Sequence, residues 1–379
     1  ILDEPTSALQ AAETARLLNV VRSLRDQGVA VVYVSHFLED VFAVADRITI
    51  LRSGEVVVSR APRDELTLQT TVHAMLGEAE SRSAIPDVAE PFSDAAPANG
   101  PLTLEGIAVT GVLDPIDLVA RPGEVVGLAG LEGSGAHNVL DVIFGRTRPT
   151  QGQMRLPDGT GRPGNMNHAV RAGIAYIPAD RKLLGLMLDV SIAENIDGVK
   201  SGPLKRTGVF LSRRSMHQRA EHWRRTLGIR MTSPSQTVGA LSGGNQQKVV
   251  FAKWLEADPT VILLDDPSRG VDVGAKEEMH AIIAQMAASQ KIILYASSDL
   301  EEMAHVCDRV VVFFAGRVVG ELSKDQLSES TLMEAVNGGG VDIAVVRGGD
   351  LAAMSTADPT GDAKVMADHD HHPGGTVAR

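Results

Sequence analysis

Ser242-Gly243-Gly244, with Leu241 before it and Asn245-Gln246-Gln247-Lys248 after it, is a stretch suited to meeting an anion. A serine ahead of two glycines fits the N-cap of a helix, and the glycines leave backbone N–H groups free to approach a phosphate. About twenty residues on, the apolar run Val261-Ile262-Leu263-Leu264 ends in Asp265 and Asp266. A run without polar alternation reads as a strand buried on both faces of a parallel sheet. Its carboxylates then stand at the strand's C-terminal end, where open α/β sheets bind ligands. Ser-Gly-Gly alone is also ordinary loop composition. The strand at this spacing tips the reading to a helix start aimed at a nucleotide phosphate.

The same chemistry is written twice. Residues 1–9 read Ile-Leu-Asp-Glu-Pro-Thr-Ser-Ala-Leu, and residues 263–271 read Leu-Leu-Asp-Asp-Pro-Ser-Arg-Gly-Val. The offset of 262 persists without a gap: Ser35 falls on Ser297, Asp46-Arg47 on Asp308-Arg309 and Gly54 on Gly316. A repeat of this length is a whole domain rather than a solenoid unit. The expected organisation is the C-terminal part of a first domain at 1–77, a linker at 78–100, a complete second domain at 101–337 and a disordered tail at 338–379.

Several elements must position these residues. In the first copy, Leu17, Leu18, Val21 and Leu24 share one face of a helix. Val29 to Val34 reads as a buried strand ending at Ser35-His36, and residues 41–60 as a short helix and a hairpin. Residues 78–100 are rich in Ala, Pro, Glu, Asp and Ser, a linker composition. In the second copy, the strand Glu124 to Ala129 runs into Gly130-Leu131-Glu132-Gly133-Ser134-Gly135 and then a helical pattern. Residues 151–168 read as irregular turns, and Gly173 to Pro178 as a strand. Residues 190–235 are mostly helical, with the basic residues of Arg213 to Arg225 read as a solvated face. Met279, Ile282, Ile283 and Met286 mark a further helix, and Lys291 to Ala296 a strand. The Gly- and Asp-rich end carries His369, His371 and His372, a composition of disordered tails more than of metal sites.

The signature LSGG with the strand ending in Asp265-Asp266 resembles the signature motif and Walker B strand of ABC-type ATPases. The longer forms, LSGGNQQK and DPSRGVDVGAK, are similar to those of the ATPase subunits of ribose- and other monosaccharide-type importers. The resemblance covers roughly residues 1–335 and implies an α/β fold: tandem P-loop NTPase-like ABC domains, each with a helical subdomain. It also implies ATP and Mg²⁺ as cofactors, and composite sites in which two domains meet head to tail. Each site takes Walker A, Walker B and switch histidine from one domain and the signature from the other.

The resemblance assigns roles position by position. In the first copy, Asp3 matches the residue that orients Mg²⁺, Glu4 the one that activates water, and His36 the switch histidine on the γ-phosphate. Gln10 stands where the family usually has Asp. In the second copy, Gly130, Gly133, Ser134 and Gly135 fit the phosphate loop, but Ala136 replaces its lysine and His137 its Mg²⁺-binding hydroxyl. Asp265 keeps the Walker B position. Asp266, in the water-activating position, is one methylene short, a displacement of ~1 Å that can cost ~10²-fold in rate. Ser298 replaces the switch histidine, and Ala179 lies near the family's Q-loop-like position. This second site is expected to be degenerate. The competent one is expected to join Asp3, Glu4 and His36 to Ser242, Gly243, Gly244 and Gln246.

Bulk properties agree. A formal charge of -12 over 379 residues argues against a nucleic-acid partner. The single cysteine, Cys307, excludes a disulfide framework. No apolar run approaches the ~18 residues of a membrane span, so membrane association is expected to be peripheral, at the cytoplasmic face. The resemblance implies membrane permease subunits as partners and, indirectly, a periplasmic or lipid-anchored sugar-binding protein. The chain opens at Ile1 without an initiator methionine, and a first Walker A is expected upstream. The alternatives are a regulatory or scaffold ABC protein and a soluble ABC ATPase of translation or DNA repair. The acidic balance and the absence of zinc-ligand cysteines speak against the last.

Overall fold

Buried runs of β-branched and leucine residues form the central parallel strands of the second copy, and a short parallel pair stands in the first. The computed structural model describes residues 1–3, 5–6, 11–35, 38–52, 55–67, 70–71, 74, 100–205, 212–271 and 273–338. The expected linker and tail lie outside the described residues, apart from Gly100 and Gly338. The histidines at 369, 371 and 372 lie outside them too.

In the first copy, β1 (Leu2–Asp3) pairs in parallel with β2 (Tyr33–Val34), Leu2 opposite Tyr33 and Asp3 opposite Val34. Helix α1 (Ala11–Asp26) packs Leu18 and Val21 against Val44 of α2 (Leu38–Val44), with Leu2, Val31 and Tyr33 beside them. An antiparallel hairpin of β3 (Arg47–Arg52) and β4 (Glu55–Pro62) follows. The expected buried strand from Val29 shrinks to Tyr33–Val34, and Val29, Val32 and Val34 are exposed by 47, 55 and 47%. The physical reason is missing cover. At the 262-residue offset, Leu294 and Ala296 are fully buried because their strand lies between two others.

The second copy has two sheets. A three-stranded antiparallel sheet places β5 (Leu102–Val109) between β6 (Leu113–Ala120) and β8 (Gln151–Arg155). The main sheet is built from β7 (Val125–Ala129), β9 (Ile174–Ile177), β10 (Val261–Asp265), β11 (Ile292–Ala296), β12 (Arg309–Phe314) and β13 (Arg317–Ser323). Its order is β13-β12-β7-β11-β10-β9, parallel except for β13. The four central strands are apolar and buried along both faces, as a covered parallel sheet requires. Strand β8 and the short helix α4 starting at Met166 correct the expectation of irregular turns over 151–168: Gln151–Arg155 gains ladder partners in β5, and Asn165 caps α4 (Met166–Arg171) by accepting from His168 N at 3.1 Å.

One core lies between the two sheets and includes α3 (Ala136–Ile143), whose Val139, Leu140, Val142 and Ile143 are fully buried. The other lies on the far face of the main sheet. It gathers α5 (Ile192–Lys205), α6 (Arg213–Thr226), α7 (Gly243–Leu255), α8 (Val273–Ala288), α9 (Leu300–Val306) and α10 (Glu329–Val336). The basic helix α6 is not wholly a solvated face. Arg219 forms an ion pair with the buried Asp197 of α5, and Trp223 donates its indole N–H to Glu256 at 2.8 Å. A buried carboxylate needs such partners, and α6 supplies them from its inner side.

Several elements share their bounds at the offset noted in the sequence. At the 262-residue offset α1 coincides with α8, α2 with α9 and β3 with β12, with identical bounds. The pairing of Leu2 with Tyr33 recurs as Leu264 with Tyr295.

Candidate functional site

The chain leaves β7 at Ala129 and closes a tight glycine loop before α3. Gly133 and Gly135 hold φ of 80° and 102°, where a side chain is strained, and Gly135 occupies the N-cap of α3. At Gly130 a β-carbon would fall 2.2 Å from Ser134 Oγ and 2.7 Å from the Phe313 carbonyl, so nothing larger fits. Ser134 is buried, and its carbonyl accepts from Gly316 N at 2.8 Å. Ala136 is 1% exposed and forms part of the core.

One residue further on, His137 reaches the end of β10. Its Nδ1 lies 2.6 Å from Asp265 Oδ1, while the Tyr176 hydroxyl of β9 donates to Asp265 Oδ2, also at 2.6 Å. The hydrogen bond to Asp265 raises the imidazole's pKa, with burial opposing and the negative charges of Asp265 and Asp266 adding to the rise. Burial works against ionisation of Asp265, but the bonds from His137 and Tyr176 hold its carboxyl below its ordinary value. Burial and then the bond to Asp265 push the Tyr176 phenol up. The Arg146 guanidinium stacks over the Tyr176 ring, 4.0 Å from its centroid.

Asp266, beside this pair, bonds a different partner. It adopts φ of 43°, an unusual value for a non-glycine residue, and its Oδ1 accepts from Ser298 N at 2.6 Å and Ser298 Oγ at 3.0 Å. The positions expected to activate water and to act as switch are thus bonded to each other. His137, Asp265 and Asp266 offer ligand atoms all within 4.8 Å of one another. An imidazole among two carboxylates is a poor match for Mg²⁺, a hard cation that takes oxygen ligands.

The signature residues gather elsewhere, at the start of α7. Ser242 is the N-cap by backbone geometry, but its side chain makes no capping bond; instead Asn245 Nδ2 donates to Ser242 Oγ at 2.9 Å. Gln246 is buried, and its Nε2 donates to the carbonyls of Leu241 at 3.1 Å and Val238 at 3.4 Å. Gln246 therefore braces the turn before the helix. Beneath Gly243 lies Arg181, largely buried, which donates to the carbonyls of Arg269 at 2.9 Å and Gly270 at 3.0 Å. A β-carbon on Gly243 would stand 2.7 Å from Arg181 Nη2.

Neither Arg181 nor Tyr176 was singled out from sequence. In the stretch Pro178-Ala179-Asp180-Arg181-Lys182, nothing local shows that an arginine reaches residues 88 and 89 positions away. In the first copy, Asp3 ends β1 and is exposed. Glu4 and His36 lie outside the described residues.

Residues 113–269 match the ABC transporter family. The chain is 38% identical over 343 residues to the ribose import ATP-binding protein RbsA 1 of Streptomyces coelicolor, covering 89% of this chain and 65% of that protein. It thus spans about two-thirds of the length of that relative. Over 341 residues it is 38% identical to the ribose import ATP-binding protein of Geobacillus kaustophilus, covering 89% of this chain and 67% of that protein. The fold is that of a nucleotide-free ATP-binding cassette from an ABC transporter, with a TM-score of 0.53 at 18% identity, over 62% of this chain and 95% of that one. With that identity sustained over 67% of a curated relative, the chain belongs to the family of ABC transporter ATP-binding proteins.

Proposed function

We propose that this chain is part of the ATP-hydrolysing subunit that energises import of a monosaccharide through an ABC transporter. Residues 1–77 act as the C-terminal part of one nucleotide-binding domain and residues 101–337 as a second. The observation that carries the reading is Ser242-Gly243-Gly244 opening α7 in the same fold as a glycine loop that closes onto Asp265 through His137. Recurrence of elements at the 262-residue offset supports two domains.

The two composite sites are unequal on this reading. At the competent one, Asp3 ends β1 with Glu4 next in sequence; Glu4 would activate water, His36 would contact the γ-phosphate, and Ser242, Gly243 and Gly244 of the second copy would close over it. Its lysine-bearing phosphate loop comes from upstream of Ile1, in keeping with relatives longer than this chain and with the exposed Val32 and Val34. Asp3, an exposed oxygen donor, fits Mg²⁺, which it would hold through water. Bound there, the ion would neutralise charge on the phosphates. The other site has a glycine loop without lysine, and its His137 and Asp266 are already engaged by Asp265 and Ser298.

Membrane permease subunits would receive the movement of the two domains, with a sugar-binding protein acting outside the membrane. No helix among the described residues is long and apolar enough to cross a membrane, so the chain would sit peripherally on those subunits at the cytoplasmic face. The test is sugar uptake and Mg²⁺-dependent ATP turnover by the full-length gene product with its permease. Both are expected, and both are expected to be lost in Glu4→Gln. Uptake that persists in Glu4→Gln overturns the reading.

A further inference from the structure

The loop that follows the strand-end carboxylates is tied down by the same kind of bond in both copies. In the first, Thr6 Oγ1 donates to Asp40 Oδ2 of α2 at 2.6 Å, with the Tyr33 hydroxyl 3.4 Å from Thr6 Oγ1. In the second, Ser268 Oγ donates to Glu302 Oε2 of α9. Thr6 and Ser268, Asp40 and Glu302, and Tyr33 and Tyr295 are each 262 positions apart. Both hydroxyls are buried. The donor changes from threonine to serine and the acceptor from aspartate to glutamate, yet the bond is kept. An incidental surface contact would not survive a change at both ends.

Glu302 is held from a second side as well. It is 5% exposed, and His280 Nε2 of α8 lies 2.8 Å from its Oε1. The fully buried Tyr295 has its phenol pKa pushed up by burial and then by the Glu302 charge. Asp299 caps the start of α9, accepting from Glu302 N at 3.0 Å, so the carboxylate's backbone is fixed too. A carboxylate this well buried is costly without donors. A carboxylate recurs at this place in the helix after positions 36 and 298, buried as Glu302 and half-buried as Asp40, and joins that helix to the loop after the strand-end carboxylates.

We propose that Asp40 and Glu302 are positioning residues of a latch, one per copy, which ties the loop after the strand-end carboxylates to the helix after the switch position. The latch makes the two loops move as one body. It rests on the reading of the two copies as nucleotide-binding domains. Glu4 lies two residues before Thr6, and His36 four residues before Asp40. On that reading, the bond between Thr6 and Asp40 ties a residue two positions after the water-activating one to a helix residue four positions after the switch.

Two measurements on the full-length protein test this. Ser268→Ala removes the hydroxyl, and Ser268→Thr keeps it. Hydrogen exchange at Arg269 and Val271, whose amides donate within this loop to Asp266 and Ser268, is expected to quicken about tenfold in Ser268→Ala and to stay near the parent rate in Ser268→Thr. Unchanged exchange in Ser268→Ala overturns the latch. For turnover, Thr6→Val deletes the first copy's hydroxyl at nearly constant shape. It is expected to lower kcat about tenfold with KM for ATP little changed, and Thr6→Ser is expected to restore kcat. Quickened exchange with unchanged kcat in Thr6→Val overturns the positioning role. If the parent protein shows no ATP turnover, the ATPase reading falls, and the exchange result alone still decides whether the latch exists.

Discussion

His137 Nδ1 and Asp265 Oδ1 lie 2.6 Å apart, joining the helix after the glycine loop to the end of strand β10 across 128 residues. The other oxygen of Asp265 is taken by Tyr176. Each oxygen of the carboxylate expected to face a metal ion thus has a protein partner. The imidazole at position 137, where a Mg²⁺-binding hydroxyl was expected, is bonded internally to Asp265.

That pair has a definite pH signature. The hydrogen bond to Asp265 raises the His137 pKa. Its contribution to stability is therefore full below the free-imidazole value of about 6.5 and is lost as pH rises through the higher folded value. Asp265, held below its ordinary value, has the opposite sign: its contribution is lost on acidification. An imidazole titration followed by NMR is expected to show a His137 midpoint above the free value that falls in Asp265→Asn. A midpoint indifferent to Asp265→Asn would contradict the pairing.

The Arg181 strut is testable by a double-mutant cycle. Arg181→Ala leaves the carbonyls of Arg269 and Gly270 without their donors and is expected to cost ~1–3 kcal/mol, read from the denaturation midpoint. Gly243→Ala should be destabilising in the parent protein, because its methyl meets Arg181 Nη2 at 2.7 Å. The same change should cost less in the Arg181→Ala background. Strict additivity would show that the two residues do not touch in solution.

Unequal sites predict unequal mutants. In the full-length protein, Glu4→Gln is expected to abolish turnover, whereas Asp266→Asn should reduce it only modestly, since Asp266 is bonded to Ser298 beside a loop without lysine. Steady-state ATPase rates make the comparison. Equal losses would mean that the second site is catalytic.

At the signature, Ser242→Ala should cost less stability than the ~1 kcal/mol of a typical N-cap serine, because this side chain makes no capping bond. Ser242→Arg should still abolish turnover by obstructing the approach of phosphate to the α7 N-terminus, while ATP affinity is retained. Affinity and turnover measured side by side decide it. Unchanged turnover in Ser242→Arg would overturn the composite site.

Much of the fold was legible because its signals are local. Met279, Ile282, Ile283 and Met286 recur at helical spacing, and all four are buried on one side of α8. The apolar run ending at Asp265 needed only its lack of polar alternation to be read as a central strand. The spacing of Leu17, Leu18, Val21 and Leu24 marked α1 by the same helical period. The glycine loop was legible too, because positive φ at Gly133 and Gly135 demands a residue type that stands out in any sequence.

Partnership across the sheet was not written in any local pattern. Val29, Val32 and Val34 have the composition of a buried strand, but burial depends on what lies alongside, and β2 pairs only with β1 among the described residues. Arg219 looked like one of several solvent-facing charges until α5 brought Asp197 beneath it. Ser242 occupies a cap position, yet the rotamer that would close the cap is not used. By itself the sequence determined which residue types stand at the strand ends and helix starts, because these follow from period, apolar runs and turn chemistry. Only the tertiary structure decided that His137 and Tyr176 close on Asp265, and that Arg181 supports Gly243. Those contacts arise where β9 lies beside β10 and the α7 N-terminus meets a distant loop, and strand order is set by packing across the whole domain.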